Sequence, residues 1–391
     1  MKKICLINSL YPPYHRGGAE VVVRNIVSGL IKSGYEVVLI TLGRKESRKQ
    51  EGALTIYRIT PFNIFSFIDI NNRPIWLRLF WHPLDVFNFF GAAKVKKILK
   101  SEKPEVVITH NLKGIGYLVP RVIQGLGIKH IHTLHDVQLS RPSGLILYGQ
   151  EKPFLIIDKI YEKFCRWLFN NPDIILSPSK WLLDYYKIRG FFYESKKIVL
   201  PNPVIFRKIE KSKELESDNH KVNLLYVGQL EKSKGILFLI QACQKLKRDD
   251  WHLTIVGSGN FKAEVEKAIE DDPRFSFVGR IEPKYLINYY RKADLTIVPS
   301  LCYENSPAVI YESLVANVPV IASDIGGIPE IVKDDYNGFT FAPENEKNLI
   351  EVLEYFLNRP ENITRLKKNC FVSVRSFSVS GYVKQLIQLI Q

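Results

Sequence analysis

Both halves of this 391-residue chain repeat one pattern, in which a short apolar strand is followed by a glycine-containing loop, a helix and a second strand. The predicted elements are Lys3–Asn8, Ala19–Lys32 and Glu36–Thr41 in the first half, and Val222–Val227, Gly235–Leu246 and His252–Val256 in the second half. Uninterrupted runs of Val, Ile and Leu are typical of parallel strands buried on both faces. The pattern predicts an α/β protein with two Rossmann-like domains and right-handed crossovers.

Two carboxylates, Glu304 and Glu312, stand eight positions apart on either side of a predicted helix start. Ser306 is a favourable N-cap residue, and Pro307 suits the first helical position because its missing N–H costs nothing there. The free N–H groups and partial positive charge of a helix N-terminus attract anions. The segment could bind a phosphate at the helix end and sugar hydroxyls at the carboxylates. An isolated pair at this spacing is more often a solvated loop residue and a helix-surface residue.

This segment resembles the Glu-x7-Glu region of the retaining nucleotide-sugar glycosyltransferases of family four. The resemblance covers most of the chain through short motifs in the family's order, namely Gly17-Gly18-Ala19-Glu20, Thr133-Leu134-His135-Asp136, Pro178-Ser179, Pro201-Asn202-Pro203, Lys234-Gly235, Gly257-Ser258-Gly259 and Asn337-Gly338. Each motif is weak alone, and their number and order make the match specific. The resemblance implies the GT-B architecture, in which two Rossmann-like domains with parallel sheets face each other across a cleft.

The resemblance also implies a division of the chain. Residues 1–202 would form an acceptor-binding domain, residues 203–373 a nucleotide-sugar donor-binding domain, and residues 374–391 a C-terminal helix that packs back on the first domain. The final segment has apolar residues at helical spacing, at Val379, Val383, Leu386, Ile387 and Ile390. By itself this pattern predicts an amphipathic helix that packs somewhere.

By resemblance, the second domain holds the donor. Lys234 would meet the diphosphate, Glu304 would lie near the donor sugar, and Glu312 would bind the ribose hydroxyls. The remaining expected donor-binding residues are Gly228, Gln229, Gly257, Gly259, Arg280, Asn305, Ser306 and Pro307. Gln229 departs from the family, which has an arginine at this position. Either Arg280 compensates, or the donor binds differently.

The first domain would supply the acceptor side of the site. By resemblance, Gly17 and Gly18 belong to this side, and His110 and Asn111 would reach it because they follow the predicted strand Val106–Thr109. Asp136, next to His135, is expected there too. His135 ends the predicted strand His130–Leu134, where open α/β sheets bind ligands. The resemblance implies that it contacts the transferred sugar and forms the catalytic set with Glu304 and Lys234. A zinc site at His130, His132 and His135 is the alternative, although the sequence offers no further set of ligands.

The site is expected to work without a metal or cofactor. The chain contains no Asp-x-Asp, so cationic side chains and helix ends would stabilise the leaving diphosphate. Its five cysteines include no Cys-x-x-Cys pair, which argues against structural zinc and against a disulfide framework. The donor would be a nucleotide sugar, and family frequency favours a UDP-sugar over a GDP-sugar.

The charge of the chain is uneven. Residues 1–200 contain 30 Lys and Arg against 15 Asp and Glu, whereas residues 201–391 contain 25 of each. The basic half also has an aromatic-rich stretch over residues 62–91, followed by lysines. This combination favours contact with an anionic membrane surface, although the aromatic residues could instead fill a core and the charge could belong to a solvated basic face. No nucleic-acid-binding motif is present, so nucleic acid is not expected as a partner.

These observations favour an enzyme, a metal-independent retaining glycosyltransferase that moves a hexosyl or N-acetylhexosaminyl group to a hydroxyl acceptor. The acceptor would be a lipid-linked or membrane-proximal glycan in polysaccharide or glycoconjugate synthesis. The start of the chain has no signal-peptide pattern, so a cytoplasmic protein, peripheral on the inner face of the membrane, is expected. The alternatives are a non-catalytic nucleotide-sugar sensor, which Gln229 favours, and a nucleotide-sugar epimerase of the same fold.

Overall fold

The computed structural model describes residues 2–14, 17–151, 156–206 and 221–391. The chain divides into two compact units. The first contains Met1–Leu145, Lys152–Pro203 and Val379–Gln391, and the second contains Ile146–Glu151 and Val204–Ser378. Among the described residues, no helix has both the length and the apolar character needed to cross a membrane.

The described residues of the first unit form an eight-stranded sheet. Its strands, β1 to β8, are Lys3–Ile7, Glu36–Leu42, Ser47–Glu51, Leu54–Ile59, Val106–Thr109, Lys129–Thr133, Ile174–Ser177 and Lys196–Val199. The helices α1 to α6 are Gly18–Lys32, Ile75–Val86, Phe89–Glu102, Val119–Gly125, Ile156–Phe169 and Lys180–Ile188. The strand order is β3-β4-β2-β1-β5-β6-β7-β8, and every pairing is parallel except that of β3 with β4.

The described residues of the second unit form a six-stranded, fully parallel sheet of order β11-β10-β9-β12-β13-β14. Its strands, β9 to β14, are Val222–Gln229, Trp251–Ser258, Phe275–Gly279, Leu295–Val298, Val320–Ser323 and Gly338–Phe341. The helices α7 to α13 are Ile236–Gln244, Lys262–Ile269, Pro283–Lys292, Ala308–Val315, Ile328–Ile331, Glu346–Asn358 and Glu361–Val374. The prediction of two α/β units with parallel sheets is therefore confirmed.

The order of the strands locates a switch point in each sheet. In the first sheet the chain leaves β1 towards β2 on one side and returns to β5 on the other. In the second sheet, β9 has β10 on one side and β12 on the other. Ligands of open α/β sheets bind at the carboxyl ends of the strands that flank such a point. The loops after β1, β5, β9 and β12 are therefore the candidate positions for a site.

The last helix, α14, spans Val379–Ile390 and belongs to the first unit. Its apolar face packs on α1, where Gly29 makes room for it, since a Cβ on Gly29 would lie 2.5 Å from Cγ2 of Val383. The helix is shorter than the expected segment 374–391, because α13 continues to Val374 and a 3₁₀ turn follows at Arg375–Phe377.

One segment expected in the first domain belongs to the second unit. Ile146–Glu151 pairs with the loop after β12, where the N–H of Tyr148 donates to the Leu301 carbonyl at 3.0 Å and the N–H of Tyr303 donates to the Ile146 carbonyl at 2.9 Å. These backbone hydrogen bonds join residues more than 150 positions apart, and no local sequence pattern signals them.

Candidate active site

In the first unit, the predicted residues His110 and Asn111 lie at the switch point, directly after β5. The loop after β1 fixes their backbone. The Asn8 side chain accepts the N–H of Asn111 at 3.1 Å, and the Ser9 hydroxyl donates to the Asn111 carbonyl at 2.8 Å. Asn8 and Ser9 were not predicted as site residues, although Asn8 ends the predicted strand Lys3–Asn8 and Ser9 follows it. The carboxyl ends of β1 and β5 are thus held together by hydrogen bonds.

His110 and His135 form a hydrogen-bonded pair, with 2.9 Å between Nδ1 of His110 and Nε2 of His135. Burial lowers the pKa of His135 to about 4 and holds the pKa of His110 well below its usual value. Both rings are therefore neutral at pH 7. In the part of the chain that the structure describes, Nε2 of buried His110 has no hydrogen-bond partner. The pair can exchange hydrogen bonds with a sugar hydroxyl but adds no positive charge at neutral pH.

Asp136 lies next to this pair on a loop, and Gln138 of the same loop is hydrogen-bonded to Asn111. The Asp136 carboxylate accepts the N–H of Gln138 at 2.8 Å, and the Gln138 side-chain amide donates to the Asn111 side chain at 2.6 Å. Burial raises the pKa of Asp136 to about 6, against the lowering effect of the Gln138 N–H. Gln138 therefore belongs to the site. Sequence reasoning missed it because a glutamine on a loop carries no signal of its own.

Gly17 and Gly18 are exposed at the start of α1. The N–H of Gly17 donates to the Glu20 carboxylate at 2.9 Å, so Glu20 closes the helix start. A Cβ on either glycine would meet no atom of the protein within 4 Å, and the extended φ of Gly17, −158°, suits any residue. Neither packing nor backbone conformation within the described structure therefore requires glycine at these two positions.

His130 and His132 are buried, and each lies 2.8 Å from the Thr109 hydroxyl. His132 also packs edge-on against Phe169, with 4.9 Å between ring centroids. Among the described residues there is no group of three or more His, Cys, Asp or Glu side chains that could hold a metal ion. The contacts of His130 and His132 are those of packed core residues.

In the second unit, Lys234 closes a 3₁₀ turn, Lys232–Lys234, that follows β9. The helix predicted from Gly235 accordingly begins one residue later, at Ile236. Gly235 has φ +71°, and a Cβ on it would lie 1.8 Å from the Pro299 carbonyl oxygen. The position therefore requires glycine, which lets the turn pack directly against the loop after β12.

Lys234 and Glu304, both predicted as catalytic residues, form an ion pair at this switch point. The Ser300 hydroxyl donates to the same Glu304 oxygen at 3.2 Å. Both side chains are largely buried, with 27% of Lys234 and 16% of Glu304 exposed. Burial alone would lower the pKa of Lys234, but the Glu304 carboxylate more than reverses this and raises it. The site thus holds a permanent ammonium that a carboxylate neutralises.

The Gly326-Gly327 loop packs against the backbone of Glu304. The N–H of Gly327 donates to the Glu304 carbonyl at 2.8 Å. Gly326 has φ +64°, and a Cβ on it would lie 2.1 Å from the same carbonyl oxygen. Only glycine fits this position, and the loop therefore fixes the backbone that carries the carboxylate.

The helix that carries Glu312 begins differently from the prediction. The N-cap of α10 is Pro307 rather than Ser306, and no side chain caps the helix. The Ser306 hydroxyl lies 2.8 Å from the Tyr311 hydroxyl, which takes the place of the expected bond to a helix N–H. Glu312 is exposed in the second turn, where the buried Tyr290 hydroxyl donates to its carboxylate at 3.1 Å. Tyr290 is a further residue that the sequence did not reveal.

The other predicted donor residues in this region lie at the carboxyl ends of β9 and β10 or in the loop after β12. Gly257 and Gly259 let two loops touch, since a Cβ on Gly257 would lie 1.8 Å from the Gly228 carbonyl oxygen and one on Gly259 would lie 2.4 Å from that of Leu230. Gln229 is exposed at the end of β9. Buried Asn305 adjoins Glu304.

Arg280 is exposed one residue after β11, at the edge of the sheet. Its strand lies two positions from β9, which is about 10 Å at the usual spacing of strands. Among the described residues, no ion pair or hydrogen bond joins Arg280 to Lys234 or Glu304. Its compensation for the arginine missing at position 229 therefore stays a prediction about the bound donor.

Comparison with known proteins identifies the family. The family model described as Glycosyltransferase Family 4 matches residues 16–206, and the model described as Glycosyl transferases group 1 matches residues 207–371. A relative from Klebsiella pneumoniae, described as an uncharacterized 42.6 kDa protein in cps region, is 27% identical over 84% of this chain and 87% of its own length.

The solved structures that are similar share the whole fold. Sucrose-phosphate synthase from Thermosynechococcus elongatus superimposes with a TM-score of 0.78 and 21% identity, over 100% of this chain and 98% of its own. Anabaena HepE in complex with UDP gives a TM-score of 0.72 and 17% identity, over 100% and 99% of the two chains. With its two parallel-sheet units and the two consecutive family matches, the chain belongs to the family-four type of glycosyltransferase and has the GT-B fold.

Proposed function

We propose that this glycosyltransferase is a retaining enzyme that transfers a hexosyl or N-acetylhexosaminyl group from a nucleoside diphosphate sugar to a hydroxyl group. The proposed acceptor is a lipid-linked or membrane-proximal glycan at the inner face of the membrane, in polysaccharide or glycoconjugate synthesis. The relative in a cps region supports this biosynthetic role.

The observation that carries the proposal is the Lys234–Glu304 ion pair at the switch point between β9 and β12. An ammonium at this place can bind a diphosphate, and the adjacent carboxylate can accept hydrogen bonds from a sugar. Glu312 lies exposed on the helix that follows, and Tyr290 donates a hydrogen bond to it. Its carboxylate can accept hydrogen bonds from the two hydroxyl groups of a ribose. A cation for phosphate and two carboxylates for hydroxyl groups together match a nucleotide sugar.

In the proposed reaction, the bond between the anomeric carbon and the diphosphate oxygen breaks, and a bond from the acceptor oxygen to the same carbon forms on the same face. The acceptor proton passes to the leaving phosphate, so atoms and charge balance. Lys234 stabilises the negative charge that develops on the diphosphate, and we propose that no metal ion is needed for this step.

We propose a UDP-sugar as the donor. HepE, which has the same fold, has been solved in complex with UDP and with UDP-glucose. The test is a panel of UDP-, GDP- and ADP-sugars, in which nucleotide release and the ligand-induced shift in melting temperature are both measured. We expect one class of nucleotide to raise the melting temperature and to be released slowly even without an acceptor, and we expect Glu304→Gln to bind it but to release much less.

A second candidate, a nucleotide-sugar sensor, is favoured by Gln229, which puts a neutral amide where the family has a cation. The same panel separates the two functions. Binding by the wild-type chain with no more nucleotide release than Glu304→Gln would support the sensor and contradict the enzyme. A sugar recovered in epimerised form, still attached to its nucleotide, would also contradict glycosyl transfer.

A further inference from the structure

Helix α2 of the first unit presents an apolar stripe to solvent. Trp76, Leu79 and Phe80 have 61%, 68% and 64% of their surface exposed, and Leu84 continues the stripe one turn later. Trp81, on the opposite side of α2, is fully buried and stacks on the rings of the preceding loop. The helix is therefore anchored by one large aromatic residue while several others project outwards, which is unusual on the surface of a monomer.

A second stripe of the same kind lies on α5. Its exposed residues recur at helical spacing, at Ile156, Ile157, Ile160, Phe164 and Trp167. The rings of Phe87, at the end of α2, and Phe164 pack edge to face with 5.4 Å between centroids. The two stripes therefore join, and their exposed apolar residues are called the α2–α5 surface below.

Cations and anions are segregated around the α2–α5 surface. On α5, Lys159, Lys163 and Arg166 are exposed. The two acidic residues of this helix point inwards instead, where Asp158 lies 4.0 Å from Arg141 and Glu162 lies 3.7 Å from Arg189. The only acidic residue in the sequence of α2, Asp85, is buried and accepts the N–H of Gly114 at 2.8 Å. The exposed side of α5 therefore carries positive charge beside its apolar groups, and α2 adds apolar groups without an exposed carboxylate.

We propose that the α2–α5 surface docks on an anionic lipid bilayer, with its aromatic and aliphatic side chains inserted among the headgroups. Amphipathic helices with a basic flank and large apolar residues lie in the interfacial plane of membranes in this way. The negative potential of the bilayer attracts each nearby Lys or Arg. Charge complementarity is what selects a bilayer over a second copy of this chain, whose α2–α5 surface would present the same positive charge.

Docking would also bring the bilayer close to the acceptor-side residues of the same unit. The inner face of α5 holds the loop that carries Asp136 and Gln138, since the Tyr161 hydroxyl donates to the Gln138 carbonyl at 2.7 Å and the Ser140 hydroxyl donates to Glu162 at 3.4 Å. A bilayer bound to the outer face of α5 would thus lie one helix away from this loop. This step rests on the proposed function, because it places a lipid-linked acceptor where the loop can meet it.

The first test measures binding of the full chain to vesicles of phosphatidylcholine with and without phosphatidylglycerol, in the absence of donor and acceptor. We expect binding to the anionic vesicles only, weakening with salt because these charges are screened over about 10 Å. Trp76→Ser/Phe80→Ser should lower the partition coefficient at least tenfold. The matched control, Tyr285→Ser/Tyr336→Ser, removes two exposed aromatic residues from the second unit and should bind like the wild type.

A second pair of variants tests the charge. Lys159→Gln/Lys163→Gln should lower the partition coefficient about fivefold for each charge removed. Lys262→Gln/Lys347→Gln, which removes two exposed charges from helices of the second unit, changes the net charge equally and should have little effect. All these side chains are exposed, so the melting temperatures should stay close to that of the wild type.

Three outcomes would overturn the proposal. The first is equal binding of the wild type to neutral and anionic vesicles, and the second is wild-type binding to anionic vesicles by Trp76→Ser/Phe80→Ser. The third is a wild-type chain that does not bind vesicles but forms a dimer, which the same two substitutions dissociate. Nucleotide release in solution is measured separately on the same variants and should be unchanged. A wild-type chain that releases nucleotide but does not bind anionic vesicles would refute the α2–α5 surface alone, whereas a wild-type chain that binds the vesicles without releasing nucleotide would refute the proposed transferase.

Discussion

The ion pair of Lys234 and Glu304 predicts that its two members affect nucleotide binding in opposite directions. Lys234→Ala removes the ammonium and leaves the Glu304 carboxylate, with the Ser300 hydroxyl and the Cys302 thiol as neutral donors, facing the incoming diphosphate. Glu304→Gln removes the carboxylate and leaves the ammonium free to bind phosphate. We therefore expect the first variant to bind UDP more weakly, and the second to bind it more tightly, than the wild type.

The expected magnitudes follow from the chemistry of the contact. A hydrogen bond to a charged group contributes about 1.5–3 kcal/mol, so Lys234→Ala should weaken UDP binding by roughly 10- to 150-fold. Removing a largely buried carboxylate from beside a phosphate should gain about 1 kcal/mol, or roughly fivefold in affinity. Turnover should fall in both variants, by at least about tenfold in kcat/KM for Lys234→Ala, since about 1.4 kcal/mol is one decade.

The assay is calorimetric titration with UDP, together with nucleotide release from the best donor. Lys232→Ala is the matched control, because Lys232 stands on the same 3₁₀ turn but is exposed. It removes the same charge from the chain and should change the affinity for UDP less than twofold. The reasoning is refuted if Lys234→Ala and Glu304→Gln shift the affinity in the same direction, or if Lys232→Ala has as large an effect as Lys234→Ala.

Four further predictions follow from the site. Excess chelator should leave transfer intact, and a complete loss that Mg or Mn restores would contradict metal independence. Gln229→Arg should be tolerated and tighten donor binding severalfold, as measured by titration, whereas abolished turnover would place the phosphate elsewhere. Tyr290→Phe should loosen Glu312 and reduce the preference for binding UDP over 2′-deoxy-UDP about fivefold, because one hydrogen bond is worth about 1 kcal/mol. Thermal stability should fall between pH 6.5 and 4, because burial depresses the pKa of His135 to about 4 and that of His130 to about 3. In this range the unfolded chain binds protons that the native chain does not. The free energy of unfolding therefore falls by about 1.4 kcal/mol for each histidine and each pH unit of acidification. Burial raises the pKa of Asp85 to about 7 and works against this slope, so Asp85→Asn should steepen the loss, and a melting temperature that rises on acidification would contradict the argument.

Much of the fold was predictable because it depends on local patterns. Parallel strands buried on both faces read as continuous apolar runs, and residues that follow such runs must collect at one edge of the sheet. This geometry placed His110 after β5 and Lys234 after β9 without any knowledge of tertiary contacts. The neutral state of the histidine pair was not predictable in the same way, because it depends on how deeply the pair is buried.

Local rules failed where another side chain competes with them or where a contact spans many positions. Ser306 has the sequence context of an N-cap, yet its hydroxyl pairs with the hydroxyl of Tyr311. Gln138 and Tyr290 orient site residues through single hydrogen bonds that span 27 and 22 positions. Such contacts leave no periodicity in the chain. Residues that orient other residues were therefore the part of the site that sequence analysis missed.

The excess of positive charge in the first 200 residues is a second feature that the sequence detects but cannot locate. A count of charged residues predicts an anionic partner but gives no position, since Asp158, Lys159, Glu162 and Lys163 alternate in sign along α5. The fold separates them, because a helix turns residues three or four apart to one side. The acidic residues pair with Arg141 and Arg189 within the unit, and the lysines remain at the surface beside the apolar stripe. A helix that is nearly neutral in composition thus presents a positive face, and a bilayer would meet that face rather than the average charge of the helix.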